Sequence, residues 1–447
     1  MKAYWDNGPV QLYHADARNI PLPDQSVHCV VTSPPYFGLR VYQDNDDRGI
    51  GLESSVEAYI ASMVDVFREV RRVLRDDGVL WLNLGDSYAS IGRSERKESP
   101  GVGATQAMES IDRDVVWQAG GGHNFNWSLP GGHKAGDRLG IPERVVLALQ
   151  ADGWIWRDTI IWAKKSAMPE SLAGWRWERC RVKVGALADR THETNHRDYS
   201  SHLSDTPSNE WTDCLGCPKC AENDGLVLRR GSWRTTSAHE YIYMLTKKMA
   251  YFCDAEAVKT VAQYGYRDWN GQDHYKGGDL HVGHKGTTTG GQPSTANRRS
   301  VWSDISPQPY GGPHYATFPS DLPRICIQAS TSEAGCCSEC GSQRARVVEH
   351  STSGRIDTNA PENGGVDMGI WSGRTGESSI STLGWRPTCN HNAPAVPATV
   401  LDPFSGTATT CRAAQKLGRR AVGVDISEAY LDQAVRRLSA VTLPMGI

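Results

Sequence analysis

The chain alternates between short apolar runs and longer stretches with apolar residues at helical spacing. Residues 26–31, SVHCVV, form a β-branched run that stops at the loop Thr32-Ser33-Pro34-Pro35-Tyr36, as a buried parallel strand entering a rigid loop would. From Val56 to Leu74 the apolar positions recur at helical spacing, and Asp77-Gly78 is expected to break the helix before the strand VLWLNLG. This pattern predicts a strand, helix, strand unit with a site at the end of its first strand.

The same alternation returns in later regions of the chain. Pro142 opens a predicted helix, and Gly153 leads into the aromatic strand WIWRDTIIWAKK. The segment HEYIYMLTKKMAYFCD is strand-like. Near the end, TVLDPF predicts a strand, Thr409 to Leu417 a helix, and AVGVD a strand before a final helix. Alternating strands and helices predict an α/β fold with a largely parallel sheet.

Polar segments rich in Gly, Ser and charge interrupt this core. They divide the chain into five predicted parts: residues 1–173 as the first half of the core with an excursion at 90–137, 174–233 as a cysteine-bearing insertion, 234–332 as a return to the core with a flexible segment at 262–312, 333–397 as a second cysteine-bearing insertion, and 398–447 as the second half of the core.

Composition narrows the class of protein. The 447 residues contain no run of about 18 apolar residues, which excludes a transmembrane span and a membrane partner. Because the first residues lack the features of an export signal, we expect a cytoplasmic location. A net charge of -3 excludes bulk attraction to nucleic acid but allows a local basic face.

Cysteine spacing predicts two zinc sites. The run DCLGCPKC places three thiols at two-residue gaps, and a fourth from RWERC completes a tetrahedral set. A second set resembles two halves of a zinc ribbon, CSEC and TCNH. The alternative for both sets is reduced, unligated thiols. The predicted ligands are Cys180, Cys214, Cys217 and Cys220, and Cys337, Cys340, Cys389 and His391. Four other cysteines, Cys29, Cys253, Cys326 and Cys411, are predicted to be small buried hydrophobic residues.

The C-terminal strand, turn and helix have the pattern of a nucleotide-cofactor site. A glycine in the turn permits close approach of a ligand, and a carboxylate at the tip of the next strand can accept both ribose hydroxyls. The turn lacks G-x-G-x-x-G, which favours a nucleoside without phosphates, and S-adenosylmethionine fits. An ordinary αβ turn is the alternative. The candidate residues are Asp402, Phe404, Ser405, Gly406, Thr407 and Asp425.

The loop Ser33-Pro34-Pro35-Tyr36 is suited to an amino group. Two prolines fix the backbone and leave carbonyl oxygens as acceptors. Ser33 and the Pro34 carbonyl can hold the hydrogens of an exocyclic amine, and Tyr36 can stack on a base that has left its helix. A purely structural turn is the alternative.

These motifs resemble the β class of amino-methylating DNA methyltransferases, in which the catalytic loop precedes the cofactor motif. TSPPY resembles the catalytic loop, LDPFSGTATT the cofactor loop and VGVDISEAYLDQAVRRL the acidic strand and helix. WAKKSAMPES, SAHEYIYMLTK and HYATFPSDLPRICI resemble further core segments. The resemblance implies a Rossmann-like S-adenosylmethionine-dependent fold of permuted motif order, and a cofactor role for Asp16. Ala408 stands where the family usually has a second glycine.

By resemblance, serine at the start of the catalytic loop indicates methylation of cytosine N4, whereas aspartate at that position is the usual sign of adenine N6. The segment MPES also indicates cytosine N4. The reaction would be direct in-line transfer without a covalent intermediate, consistent with the absence of a Pro-Cys dipeptide. Adenine N6, a non-catalytic zinc-ribbon nucleic-acid-binding protein, and the same chemistry on RNA remain alternatives. Duplex DNA is the expected partner, and a cognate restriction endonuclease is a candidate second partner.

Basic residues lie in and beside the insertions, where they can follow phosphates; solvated surface charge is the alternative. Together with the first cysteine set they make 174–233 the candidate for target recognition. These residues are Arg176, Arg179, Arg181, Lys183, Arg229, Arg230, Arg234, Arg298 and Arg299.

Overall fold

The computed structural model describes residues 1–38, 49–89, 133–134, 136–165, 173–183, 211–261, 295–305, 319–354 and 376–440. It divides into two compact units, unit 1 with Met1–Ser166 and Ala238–Ile447, and unit 2 with Ala167–Ser237. Most of the predicted excursion at 90–137, most of the flexible segment at 262–312, the MPES segment and residues 314–318 lie outside the described residues.

Nineteen strands and five helices are described. The strands are β1 Trp5–Asp6, β2 Val10–His14, β3 Val27–Thr32, β4 Leu74–Leu84, β5 Ile155–Ala163, β6 Arg176–Arg179, β7 Arg181–Lys183, β8 Trp211–Asp213, β9 Leu226–Arg229, β10 His239–Thr246, β11 Thr260–Val261, β12 Thr295–Ala296, β13 Val301–Trp302, β14 Cys336–Cys337, β15 Ala345–Gly354, β16 Gly376–Arg386, β17 Ala395–Val396, β18 Thr399–Asp402 and β19 Arg420–Asp425. The helices are α1 Val56–Val73, α2 Ile141–Ala151, α3 Asp321–Ser330, α4 Thr409–Lys416 and α5 Glu428–Ser439.

The main sheet of unit 1 has nine strands in the order β1-β2-β19-β18-β3-β4-β10-β5-β13. Strands β2, β19, β18, β3 and β4 run parallel, and β10 is antiparallel to both β4 and β5. From the central pair β18 and β3 the chain proceeds in opposite directions, to β19 on one side and to β4 on the other. Ligands of open α/β sheets bind at the carboxyl ends of strands at such a switch point.

Helices cover both faces of this sheet. All six residues of β3 are buried, and they alternate between two cores because successive side chains of a strand point to opposite faces. Val30 packs in the core with α1 and α2, whereas Val31 packs in the core with α3, α4 and α5. The predicted α/β fold is therefore confirmed, and the cofactor strand β18 follows the catalytic strand β3 in sequence, as the permuted order requires.

The helix α1 passes directly into β4, so the break predicted at Asp77-Gly78 is wrong. The cap residue Leu74 is already extended, with φ -70 and ψ 137, and Gly78 lies inside the strand. A Cβ on Gly78 would lie 2.9 Å from the His28 carbonyl oxygen, so this glycine serves a close backbone approach. The strand predicted over HEYIYMLTKKMAYFCD is shorter than expected, because β10 ends at Thr246.

The second cysteine set belongs to unit 1 and is fastened to the amino end of the central strands. Arg75 donates to the Cys340 carbonyl oxygen at 2.7 Å. The Thr399 backbone N–H donates to Nδ1 of His28, which leaves Nε2 to donate to the Gly341 carbonyl at 2.9 Å. His28 lies near the amino end of β3, and the predicted catalytic loop follows the carboxyl end of the same strand. This cysteine set and that loop therefore lie at opposite ends of the strands.

Unit 2 has little apolar core among its described residues. Its strands form two short hairpins, β6 with β9 and β7 with β8. Within residues 173–183 and 211–237, Cys220 is the one hydrophobic residue that is fully buried. A different source of stability must hold this part of the chain together. Among the described residues of both units, no helix is long and apolar enough to cross a membrane.

Candidate active site

The predicted catalytic loop lies at the carboxyl end of β3. Pro34 is buried, while Ser33, Pro35 and Tyr36 are half-buried. The Pro35 carbonyl oxygen accepts a hydrogen bond of 2.9 Å from the Tyr59 hydroxyl of α1. This contact anchors the second proline to the buried face of α1, so the loop is held rigidly where it leaves the sheet.

The hydroxyl of Tyr36 is held by two polar groups. It donates to Oε2 of Glu240 at 2.9 Å and accepts from Nδ2 of Asn83 at 3.0 Å. The same Asn83 amide donates to Ser33 Oγ at 3.3 Å. Burial raises the pKa of the Tyr36 phenol well above its ordinary value, and the charge of Glu240 adds to the rise. The phenol therefore stays protonated and keeps donating to Glu240.

Three residues of this network, Asn83, Lys164 and Glu240, were not predicted from the sequence. The Lys164 ammonium contacts the Glu240 carboxylate, and Asn83 Nδ2 donates to that carboxylate at 2.8 Å. Because β10 is antiparallel, its first residues meet the carboxyl ends of β4 and β5. The sequence signal was a charged or amide residue next to the apolar run at the end of a strand, in LWLNL, IIWAK and EYIYML.

Gly85 provides room for the Tyr36 ring. A Cβ at this position would lie 2.7 Å from Cε2 of Tyr36 and 3.3 Å from its Cζ. The ring is thus fixed by its hydroxyl and by the backbone that follows β4. A fixed ring can receive a flat ligand without first losing side-chain freedom.

The cofactor loop lies at the carboxyl end of the neighbouring strand β18. Asp425, the last residue of β19, accepts from the Gly406 backbone N–H at 2.7 Å and from the Ser427 backbone N–H at 2.9 Å. Arg437 of α5 donates to the Thr407 carbonyl oxygen at 2.7 Å. These bonds join the turn, the acidic strand and the last helix into one wall.

Two observations fit a nucleoside cofactor at this wall. A Cβ on Gly406 would meet nothing within 4 Å, so the turn is open on that side. The Ser405 hydroxyl is buried without a hydrogen-bond partner among the described residues, and a buried polar atom normally has one. An ionised carboxylate has about four acceptor positions, so a carboxylate at a strand tip, as Asp425 is, can accept from ribose hydroxyls as well as from backbone donors.

Ala408 adopts the left-handed conformation, with φ 61 and ψ 41, at the start of α4. This region is readily occupied by glycine and strained for alanine. The resemblance to a family with a glycine here therefore has a physical basis. The backbone keeps the glycine-type turn and bears the strain of the extra methyl group.

Asp16 and Phe404 occupy the same edge of the sheet. Asp16 follows β2 and receives Arg18 in a bidentate pair, Nε to Oδ1 at 3.0 Å and Nη2 to Oδ2 at 2.7 Å. The neighbouring Ala15 backbone N–H donates to the Asp425 carbonyl oxygen at 3.1 Å. Phe404 packs on the core below the loop. A cofactor role for both residues remains a prediction.

The catalytic and cofactor loops are joined directly. The Thr32 hydroxyl donates to Oδ1 of Asp402 at 2.7 Å, and the same oxygen accepts from the Phe404 backbone N–H at 3.1 Å. Asp402 is buried. Burial raises the pKa of its carboxyl to about 6, against the opposing effect of the hydrogen bonds from Thr32, Thr410 and Phe404.

This carboxyl gives stability a defined pH dependence. Because the pKa of this carboxyl is higher in the folded than in the unfolded chain, the folded state keeps a proton that the unfolded state has lost. The free energy of unfolding of the wild type therefore falls as the pH rises from about 4 to about 6. Asp402→Asn keeps an acceptor for Thr32 and should remove this loss. We expect the mutant's advantage in free energy of unfolding to grow from near zero at pH 4 to at most about 3 kcal/mol above pH 7. Thermal melts across this range test it, and a pH-independent difference would contradict it.

Both predicted cysteine sets come together in space. In each set the four ligand atoms lie within 4.8 Å of one another. Cys180 and Cys217 Sγ atoms are 3.8 Å apart, and those of Cys217 and Cys220 are 3.7 Å apart. Hydrogen bonds from the side chain and backbone of Ser342 lower the pKa of the Cys340 thiol to about 6. Cys29, Cys326 and Cys411 are buried as predicted, but Cys253 is exposed.

The fold places the predicted catalytic loop beside the predicted cofactor loop at the switch point of the sheet, an arrangement typical of a transferase with a nucleoside cofactor. The model of the DNA methylase family, N6_N4_Mtase, matches residues 27–338 and 396–436. The chain belongs to this family of DNA methyltransferases acting on amino groups.

Individual relatives agree with the family match. The chain is 28% identical over 432 residues to the Type II methyltransferase M.Cfr9I of Citrobacter freundii, covering 96% of this chain and 87% of the relative. It is 32% identical over 325 residues to the Type II methyltransferase M.XycI of Xanthomonas campestris pv. cyanopsidis, covering 72% of each. Among solved structures, PvuII DNA methyltransferase (cytosine-N4-specific) is similar with TM-score 0.46 and 12% identity, covering 99% of this chain and 91% of that one.

Proposed function

We propose that this DNA methyltransferase transfers a methyl group from S-adenosylmethionine to N4 of a cytosine that has left its duplex. The observation that carries the proposal is the position of Ser33. Its hydroxyl lies at the carboxyl end of β3. The preceding residue, Thr32, donates a hydrogen bond to Asp402 at the end of β18, so Ser33 lies beside the predicted cofactor loop. A hydroxyl at this point can accept from an amino group while the methyl donor lies on the adjacent strand tip.

The described residues fit the cofactor. Asp425 would accept the ribose hydroxyls, Gly406 would allow close approach, and the unpartnered Ser405 hydroxyl would gain a ligand contact. When bound, the cofactor supplies an activated methyl group on its sulfonium. Asp16 completes the candidate binding edge beyond β2.

The loop residues have separate tasks toward the base. An exocyclic amine is a weak nucleophile because its lone pair is delocalised into the ring. Ser33 Oγ and the Pro34 carbonyl would accept its two hydrogens, which favours a more tetrahedral nitrogen. Tyr36, fixed by Glu240 and Asn83, would stack on the base and set its distance from the methyl donor. Holding both reactants in line supplies much of the rate enhancement.

Nucleoside analysis tests the proposal. Purified protein is incubated with labelled S-adenosylmethionine and varied duplex DNA, and the digested nucleosides are identified by mass spectrometry. N4-methylcytosine is the expected product. N6-methyladenine would retain the enzyme class and refute the base assignment, and labelling of RNA but not duplex DNA would refute the substrate.

We further propose that each cysteine set binds one structural zinc ion. Four soft ligands within 4.8 Å match a tetrahedral site. In unit 2 a metal would supply the stability that its described residues do not obtain from an apolar core. We assign target recognition to residues 174–233 within this unit. A cognate restriction endonuclease stays a candidate partner.

Metal content gives a direct test of the zinc sites. We expect two zinc ions per chain by mass spectrometry of protein purified without added metal. Cys217→Ser with Cys220→Ser should leave one and impair DNA binding, while S-adenosylmethionine binding persists. Cys340→Ser with Cys389→Ser should leave one and lower the melting temperature. The matched control is Cys253→Ser, an exposed cysteine outside both sets, which should keep both ions. Wild type without zinc would contradict the assignment.

A further inference from the structure

The hairpin of β6 and β9 in unit 2 has two chemically different sides. Trp177 lies opposite Leu228, and Arg179, two residues along β6, shares that side. Trp175 and Arg230 lie just beyond the ends of β6 and β9, on the same side as Trp177. The Arg230 guanidinium is 5.0 Å from the centroid of the Trp175 ring. We call the side formed by Trp175, Trp177, Arg179 and Arg230 the tryptophan face.

On the other side, one carboxylate partly neutralises two arginines. Arg176 forms an ion pair with Glu178, and Arg229 Nε lies 3.4 Å from Oε2 of the same carboxylate. On the tryptophan face, by contrast, neither Arg179 nor Arg230 forms an ion pair within the part of the chain that the structure describes. The positive charge of the hairpin is therefore available on the tryptophan face.

The tryptophan face is also exposed. Trp175 has 68% and Trp177 has 52% of its surface accessible, although large aromatic side chains are usually well buried. Contiguous exposed apolar surface indicates a binding site. Residues 167–237 carry ten Lys and Arg against ten Asp and Glu, so the positive charge of Arg179 and Arg230 is local to this face and is not a property of the whole unit. This surface is complementary to a polyanion with flat apolar groups.

We propose that the tryptophan face binds a DNA strand, with bases stacked on Trp175 and Trp177 and phosphates contacted by Arg179 and Arg230. The inference rests on the proposed function, since it names a surface by which the methyltransferase holds its DNA substrate. Aromatic platforms with flanking cations bind unpaired bases of any sequence. The face thus gives affinity for unpaired or distorted DNA without reading its sequence.

An oligothymidine strand of about 16 nucleotides tests the face separately from the active site, because thymine has no exocyclic amino group. Full-length protein is titrated by fluorescence anisotropy at several salt concentrations. We expect Trp175→Ala with Trp177→Ala to weaken binding at least about tenfold. Arg179→Gln with Arg230→Gln should weaken it about tenfold and reduce the slope of log affinity against log salt by about 1.4.

The matched control is Arg176→Gln with Arg229→Gln, which removes the same charge from the opposite side of the same hairpin. It should bind within about twofold of wild type. Equal losses from the two arginine pairs, or wild-type binding by the tryptophan variant, would overturn the proposal. If the tryptophan variant binds normally while wild type still methylates duplex DNA, the face is wrong and the proposed function stands. If no DNA is methylated but the tryptophan variant and Arg179→Gln with Arg230→Gln both lose oligothymidine binding while the control keeps it, the proposed function fails and the face stands.

Discussion

Replacement of Tyr36 by alanine should lower kcat for methyl transfer about 100-fold, because both the stacking surface and its fixed position are lost. The affinity for S-adenosylmethionine should stay within about twofold, since the cofactor loop is built on β18 and β19. Single-turnover rates at saturating DNA and cofactor, with a separate cofactor titration, measure the two quantities.

The companion variant Tyr36→Phe separates the ring from its hydroxyl. It keeps the stacking surface but removes the partner of Glu240 and Asn83, which leaves buried polar groups incompletely bonded. We expect a loss of about tenfold, intermediate between wild type and Tyr36→Ala. Equal loss of transfer and cofactor affinity in Tyr36→Ala would refute the assigned role.

Replacement of Asp425 by alanine should have the reverse effect. The affinity for S-adenosylmethionine should fall about 100-fold, because two hydrogen bonds from ribose hydroxyls to a charged acceptor are lost. At saturating cofactor the rate of transfer should recover, since the catalytic loop is unchanged. Calorimetric titration and the dependence of rate on cofactor concentration give the two numbers.

A nearby carboxylate provides the control for Asp425. Glu428→Ala removes the same charge three residues later, from an exposed position in the first turn of α5. It should bind the cofactor with wild-type affinity. If the two variants weaken binding equally, the effect is one of local charge, and the ribose assignment is wrong.

Periodicity and loop chemistry predicted much of the fold because the strands concerned are nearly all apolar. The run at 26–31 is strand Val27–Thr32, and the helical spacing from Val56 gives α1. The start of β4 at Leu74 was missed because Gly78 usually signals a turn, whereas here it permits a close approach to His28. Local signals do not show which backbone will lie against a glycine.

The site was predictable where its residues belong to a motif that has a recognisable pattern. Ser33 to Tyr36 form one motif, and so do the residues around Gly406. Glu240 reaches Tyr36, and Lys164 reaches Glu240, only because an antiparallel strand begins where its neighbouring strand ends. Such a meeting depends on strand order, which spacing along the chain does not report.

The pairing of β3 with β18 has a consequence for how the chain is made. The bond between Thr32 and Asp402 spans 370 positions, so β3 lacks its partner on that edge until the chain through Asp402 has left the ribosome. An unpaired apolar strand edge promotes association with other chains, and such distant contacts slow folding. We therefore expect the nascent protein to depend on chaperones until its last strands emerge, and C-terminal truncations to yield aggregates.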